Sequence, residues 1–178
     1  MKEYLDVLNE NGEKTGKTKL RDEIHRDGDW HASVHLWLIY EGEVLIQKRS
    51  LLKESYPGCF DASAAGHVSA GEEILVAAQR ECIEEIGVDI AEKAIIELGV
   101  LKLCINNIET GFVSNEFNHV LAVEIEKEQD YQIDRDEIEE LQWIDIESVY
   151  NEIEQGNKEY CVQYDEIELI RNRFGGKK

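Results

Sequence analysis

Three glutamates at helical spacing, Glu81, Glu84 and Glu85, are the residues of this chain that most clearly indicate chemistry. On an α-helix they project within about a third of a turn of one another. Like charges so close repel each other and destabilise a helix, and divalent cations bound among them would reverse that effect. Mg²⁺ prefers carboxylate oxygens and bridges them to phosphates. The cluster therefore predicts a metal site for a reaction at phosphorus.

Residues before the cluster extend the pattern. Arg80 lies one turn before Glu84, where its planar guanidinium can hold a carboxylate in place. Gly66 has no side chain, so its backbone oxygen can approach a cation closely. Glu72, with Ser69 before it, fits a capping box at the start of a helix.

A helix from about residue 72 to 86 is predicted to carry these groups, and Gly87 is a typical C-cap residue. The glutamates lie to one side of a line of apolar residues. This line predicts the buried stripe of the helix, formed by Leu75, Ala78, Cys82 and Ile86.

The overall composition limits the partners of the chain. Its 178 residues suit one domain, and 39 acidic against 19 basic side chains give a formal net charge of −20. Such a charge repels nucleic acids and anionic membranes, and it admits an anionic substrate only beside a cation. The four cysteines follow no zinc-binding pattern, and no apolar segment is typical of a signal peptide or a membrane span. We therefore expect a cytoplasmic protein with free thiols.

Hydrophobic patterning predicts strands, then one helix, then further strands and helices. Strands are expected at 3–8, 14–19, 32–40, 44–47, 95–105, 116–126 and 140–144, a short helix or loop at 20–28, and helices at 146–155 and 158–172. Residues 50–70 are expected to be irregular. This order predicts an α+β sandwich with a mixed sheet between helices, not a doubly wound fold.

The segment from Gly66 to Val88 resembles the Nudix box, G-x5-E-x7-R-E-U-x-E-E-x-G-U, where U is a bulky aliphatic residue. The matching positions are Gly66, Glu72, Arg80, Glu81, Glu84, Glu85, Gly87 and Val88, with Cys82 at a U position. A solvated glutamate-rich helix is the alternative interpretation. The resemblance covers about residues 30 to 155 and implies a single α/β/α Nudix domain over 1–178. Residues 1–30 would be an extension, 31–155 the core and 156–178 a C-terminal helix.

The resemblance implies an enzyme that hydrolyses a diphosphate linkage with Mg²⁺ or Mn²⁺. The metal ligands would be Glu81, Glu84 and Glu85, with the carbonyl of Gly66, while Glu72 and Arg80 would support them. The general base would be Glu81 or Glu84, or else Glu137, which precedes the strand containing Trp143.

The residues before the box are similar to type I isopentenyl-diphosphate isomerase, a Nudix relative. This similarity implies a second metal site, formed by His25, His31, His67 and Glu116. Ser114 stands where the isomerase has another glutamate, so hydrogen-bonded histidines without a metal are the alternative. Ala64-Ala65 stands where the isomerase has its catalytic cysteine, and this difference favours hydrolysis.

Three functions therefore remain open: hydrolysis of a nucleoside diphosphate or related cofactor diphosphate, isomerisation of isopentenyl diphosphate, and diphosphate binding without turnover. Lys48, Arg49 and Lys53 are candidate phosphate contacts, although they also fit a solvated basic tip. The expected partner is a small diphosphate, with no nucleic acid and no membrane. A monomer and a homodimer are both compatible with the sequence.

Overall fold

The computed structural model describes residues 2–53, 55–107 and 112–176, apart from the side chains of Asn107 and Phe112. Nine strands and four helices occur in these ranges. They are β1 (Tyr4–Leu8), β2 (Lys14–Leu20), α1 (Arg21–Asp27), β3 (Trp30–Tyr40), β4 (Glu43–Arg49), β5 (Phe60–Asp61), β6 (Ala64–His67), α2 (Ile74–Ile86), β7 (Ile96–Asn107), β8 (Phe112–Glu124), β9 (Ile138–Asp145), α3 (Ile146–Glu154) and α4 (Tyr164–Phe174).

Strand β3 forms the centre of a mixed sheet. It pairs in parallel with β8 and antiparallel with β4 and β6. Alternate residues of β3 enter two hydrophobic clusters on opposite faces of the sheet. Leu36 and Leu38 pack with residues of α2, whereas Trp37 and Ile39 pack with residues of α3 and α4. The predicted α+β sandwich, with helices on both faces of a mixed sheet, is confirmed.

One edge of β3 is shared by two strands, since β6 pairs with residues 33–36 and β4 with residues 38–40. Ser63 lies where the two strands part. Its hydroxyl accepts a hydrogen bond from the Leu38 amide at 2.8 Å and donates one to the Leu45 carbonyl at 2.5 Å. The side chain thus replaces ladder hydrogen bonds that the sheet loses at this point.

The expectation of an irregular segment over residues 50–70 is wrong in its second half, which contains β5 and β6. Both strands are short, and their partners β4 and β3 are distant in the sequence. Local patterning does not reveal such pairing. The predicted helix over 158–172 is also too long, because α4 begins only at Tyr164.

Helix α2 follows the prediction at its end and departs from it at its start. It ends at Gly87, whose φ of 73° is the predicted left-handed C-cap. It begins at Ile74, so Glu72 lies in the preceding loop, where its carboxylate accepts from the Ser69 amide. Leu75 is 47% exposed, so its assignment to the buried stripe is wrong.

The stripe is displaced around the helix and includes two of the glutamates. Its members are Ala77, Ala78, Glu81, Cys82, Glu85 and Ile86. Cys82 packs in the core as a small apolar residue, as predicted, and all four cysteines are free. Within the described part of the chain, no helix has the length and apolar character needed to span a membrane.

Candidate active site

The three glutamates of α2 line one wall of a cavity of about 1760 Å³. Glu81 and Glu85 are 9% and 5% exposed, whereas the Glu84 side chain is 60% exposed. Burying two neighbouring carboxylates is unfavourable unless positive charge or hydrogen bonds compensate. The cluster therefore combines two buried carboxylates, whose charged forms are unfavourable, with a third carboxylate that is exposed to solvent.

Gly66 is required beside this pair because glycine has no side chain to occupy the space there. A Cβ atom at position 66 would lie 2.2 Å from the Cδ atom of Glu81, far inside van der Waals contact. The Glu81 carboxylate therefore packs directly on the backbone of β6. Because the backbone carries polar atoms at this point, carboxylate and carbonyl oxygens are available within a small region, and hard cations favour such oxygens.

Glu85 accepts two hydrogen bonds, from Nε2 of Gln47 and from the Ala65 amide, both at 3.0 Å. These donors do not offset burial. Burial and the charge of Glu81 raise the pKa of Glu85 to about 8, and burial also raises the pKa of Glu81. Both carboxylates therefore favour an added positive charge, and oxygen ligands of this kind fit Mg²⁺ or Mn²⁺.

Arg80 connects the carboxylates to the loop before α2. Its Nε and Nη2 atoms each lie 2.9 Å from a different oxygen of Glu72, and Nη2 also donates to the His67 carbonyl at 2.9 Å. Its Nη1 atom lies 2.6 Å from Glu81 and 3.1 Å from Glu84. One guanidinium therefore fixes the positions of three carboxylates, which requires its planar arrangement of donors.

Two of the predicted histidines, His25 and His67, line the same cavity, and the ring of the buried His31 contacts both. The ring centroids of His25, His31 and His67 are 5.0–5.2 Å apart, and one candidate ligand atom from each lies within 4.8 Å of the others. Nδ1 of His25 donates to the Val113 carbonyl at 3.2 Å, and Nδ1 of His31 donates to the Asp29 carbonyl at 3.1 Å. In both rings Nδ1 is thus held by a backbone carbonyl, and Nε2 is the nitrogen that could bind a metal, as is common for metal-binding histidines.

Glu116 lies beside this group, with Oε1 4.0 Å from Nε2 of His31. The Ser114 hydroxyl donates to the same carboxylate, so serine acts here as a hydrogen-bond donor to Glu116. Burial lowers the pKa of all three histidines and favours their neutral form, in which imidazole binds metals. The residues brought together therefore fit a divalent cation that accepts nitrogen ligands.

The candidate basic residues have different positions. Arg49 and Lys53 line the cavity, but Arg49 is hydrogen-bonded to Asp61 at 2.9 Å, and Lys53 is paired with Glu137. Alternation along β4 directs Lys48 to the opposite face, where it lies 3.3 Å from Glu139. The structure thus brings Glu137 to the cavity together with Lys53, and it does not bring Lys48 there.

Sequence reasoning missed Gln47, which holds Glu85, and a pair formed by His35 and the buried Glu166 in the cavity wall. A weak signal existed for His35. Polar residues His31, Ser33 and His35 alternate with apolar residues in an otherwise hydrophobic strand. Such alternation indicates that one face of the strand meets a polar space.

An α/β/α sandwich whose helix presents clustered carboxylates to a large cavity is the arrangement of a metal-dependent Nudix domain. Residues 29–163 match the NUDIX domain family, and the chain belongs to this family. The predicted membership among the Nudix hydrolases, in a branch similar to isopentenyl-diphosphate isomerase, is therefore confirmed.

Three relatives illustrate the similarity. Nudix hydrolase 3 of Arabidopsis thaliana is 40% identical over 169 residues, which cover 92% of this chain but only 22% of that longer protein. Isopentenyl-diphosphate Delta-isomerase of an Enterobacter species is 30% identical over 159 residues, 86% of this chain and 82% of the isomerase. A crystal structure from Deinococcus radiodurans superposes with a TM-score of 0.68 at 24% identity, covering 96% of this chain and 98% of the other. The last similarity concerns the fold alone.

Proposed function

We propose that this chain is a Mg²⁺-dependent hydrolase that cleaves the diphosphate linkage of a small organic diphosphate. A nucleoside diphosphate or a related cofactor diphosphate is the favoured substrate class, and Mn²⁺ is the alternative metal. The observation that carries the proposal is the burial of Glu81 and Glu85 beside Glu84, at a cavity, with the pKa of both buried carboxylates raised. A fold gains no stability from that arrangement, whereas a site for cations and polyphosphate requires it.

The residues have distinct roles in this proposal. Glu81, Glu84 and Glu85, with the carbonyl of Gly66, would hold the cation, and Arg80 keeps Glu81 and Glu84 in place. A divalent cation bound there would lower the pKa of the attacking water and neutralise charge on the diphosphate. Glu72 orients Arg80 from the loop before α2 through two hydrogen bonds of 2.9 Å.

A general base must accept the proton of the attacking water. Glu81 and Glu84 are close to the proposed cation, and Glu137 lies at the cavity on the loop before β9. Glu137 is paired with Lys53, so it would act as a base only if the diphosphate attracted that ammonium away from it. Lys53 and Arg49 are the cavity-lining cations of the predicted basic set and would contact the phosphates.

The first experiment measures phosphate and pyrophosphate release from a panel of diphosphates with and without Mg²⁺. Turnover should require the metal, and Glu84→Gln should lower kcat by about 100-fold or more while leaving the fold intact, because Glu84 is exposed. Glu92→Gln, at an exposed loop position, removes the same charge away from the cavity and is the matched control. Binding of every diphosphate without any turnover would instead support a non-catalytic module.

Isomerisation is a second candidate, because the chain is 30% identical to an isopentenyl-diphosphate isomerase over most of that enzyme. Against it, Ala64 and Ala65 offer no thiol, and an isomerase of this type needs two acid/base groups. Product analysis with isopentenyl diphosphate separates the two reactions. Dimethylallyl diphosphate formed without phosphate release would overturn the hydrolase proposal.

The histidine group is proposed as a separate metal site, with Glu116 as a further ligand. His31→Asn should remove one equivalent of tightly bound Co²⁺, detected by its visible absorption, because a neutral imidazole ligand is lost. The same spectrum should persist in Glu84→Gln, whose carboxylate belongs to the α2 cluster. Unchanged Co²⁺ binding in His31→Asn would show that the histidines are only hydrogen-bonded residues.

A further inference from the structure

The cavity has a second charged wall that the proposed hydrolysis does not use. Glu166 of α4 is fully buried, and Nδ1 of His35 lies 2.9 and 3.0 Å from its two carboxylate oxygens. Nε1 of Trp37 donates to the same carboxylate at 2.8 Å, and Nδ2 of Asn118 lies at 3.5 Å. These donors hold Glu166, and Glu166 in turn fixes the orientation of the His35 ring.

The other nitrogen of the His35 ring faces a different environment. Nε2 has no acceptor among the residues that the structure describes, the side chain is 15% exposed, and His35 lines the cavity. Burial lowers the pKa of His35, but the charge and hydrogen bonds of Glu166 outweigh it and raise the pKa to about 9. His35 is therefore a hydrogen-bond donor that is directed toward the cavity and lacks a partner within this wall.

The neighbour of His35 on β6 places this donor near the carboxylate cluster. His35 is directly opposite Ala65, and both side chains project from the same face of the sheet. The amide of Ala65 donates to Glu85 of the α2 cluster. His35, Ala65 and Glu85 all line the same cavity, and the alanine side chain is a single methyl group, so the cavity extends from the donor to the region proposed for the diphosphate.

Further polar residues line this part of the cavity. Ser33 lies two positions before His35 on the same face of β3, and Glu116 of β8 is opposite His31. A hydrocarbon chain placed against such a wall would desolvate the His35 donor without satisfying it, which is costly. An organic group that carries hydroxyl or ether oxygens would satisfy it.

We propose that His35, held by Glu166, donates from Nε2 to an oxygen of the organic half of the substrate, next to the diphosphate. The enzyme would thereby select diphosphates of polar groups, such as nucleoside diphosphates, over diphosphates of hydrocarbons. This inference rests on the proposed hydrolase function and specifies its substrate class. It makes His35 a specificity-determining residue and Glu166 a positioning residue.

The test compares ADP with isopentenyl diphosphate, since the first carries a ribose beside its diphosphate and the second a hydrocarbon. The variant is the double substitution H35L/E166Q, which removes both charges together and leaves Trp37 a partner in the amide oxygen of glutamine. We expect kcat/KM for ADP to fall about 10- to 100-fold, and kcat/KM for isopentenyl diphosphate to change less than about threefold. Dissociation constants measured by calorimetry with Mg²⁺ should show the same selective loss.

Two further variants separate specificity from a structural role. His35→Gln retains a side-chain N–H donor, so it should keep more of the ADP activity than H35L/E166Q does. A difference in thermal unfolding between the two variants should not account for this recovery. H119L/E97Q removes a histidine–carboxylate pair of 2.8 Å that does not line the cavity, and should leave the preference unchanged.

Three outcomes decide the matter. A selective loss for ADP supports the proposal. An equal loss for both substrates would overturn it, because His35 would then act on the shared diphosphate or on the fold. If the wild-type protein turned over neither compound, the hydrolase proposal would fail. Calorimetry would then still test His35. Tighter binding of ADP by the wild type than by the double variant would support its assignment, and equal binding would overturn it.

Discussion

Two groups of charged residues line the same cavity and differ in charge balance. The α2 cluster collects like charges, Glu81, Glu84 and Glu85, within little more than one helical turn. The pair of His35 and Glu166 joins opposite charges from residues 131 positions apart. The cluster leaves negative charge uncompensated, whereas the pair neutralises itself. This difference supports the proposal that the cluster receives a ligand that brings positive charge, whereas the pair belongs to the fixed wall of the cavity.

Replacing Glu85 by Gln is the strongest way to test the contrast. We expect kcat for diphosphate hydrolysis to fall about 1000-fold, since a proposed cation ligand is lost. The free energy of unfolding of the metal-free protein should rise, because burial and Glu81 both oppose the charge of Glu85. Steady-state kinetics and urea unfolding in a chelator measure the two effects. Full activity in this variant would remove Glu85 from the site.

Gly66→Ala tests the packing of the cluster on β6 and should have the next largest effect. The added Cβ would meet Cδ of Glu81 at 2.2 Å, so the carboxylate must move. We expect kcat to fall about 100-fold, the scale of a displacement of about 1 Å at a catalytic group. Gly99→Ala is the matched control, because its Cβ would meet only the flexible end of Leu169, at 3.3 Å. Equal kinetics in the two variants would contradict the proposed role.

The pair of His35 and Glu166 should instead affect how the free energy of unfolding depends on pH. The pKa of His35 in the fold is about 9, above the ordinary 6.5, and Glu166, Asp61 and Glu116 favour its charged form. Its contribution to stability is therefore complete below about pH 6.5 and is lost as the pH rises through about 9. We expect a loss on the order of 1–3 kcal/mol between these values, measured by urea unfolding in a chelator.

H35L/E166Q provides the control for this pH dependence. The double variant lacks both charges, so the part of the loss that His35 causes should disappear, and the difference between the two curves should become constant above the pKa of His35. Parallel curves for wild type and double variant would show that other groups cause the pH dependence.

The difference between the two groups also explains which parts of the site the sequence predicts. Helix α2, its end at Gly87 and the adjacent glutamates follow from spacing within one helix, where local geometry is fixed. The burial of Glu81 and Glu85 does not follow, because tertiary packing rotated the buried stripe away from Leu75. Local rules specify which residues share a helix face, and they leave open which face is covered.

Contacts between distant segments account for the other omissions. The partner of His35 is supplied by α4, and the predicted helix over 158–172 gave no indication of which strand it would meet. The short strands β5 and β6 likewise depend on pairing with β4 and β3. The histidine group was found through family resemblance, because no spacing rule joins residues of α1, β3 and β6.

His67 belongs to two neighbourhoods at once. Its imidazole lies in the histidine group, while its carbonyl receives Nη2 of Arg80, the guanidinium that also contacts Glu81 and Glu84. A substitution at His67 removes the imidazole and keeps the carbonyl, but any shift of the backbone would also move Arg80, so the phenotype would be ambiguous. His31 has no such double attachment, so lesions at His31 can be interpreted for the histidines alone.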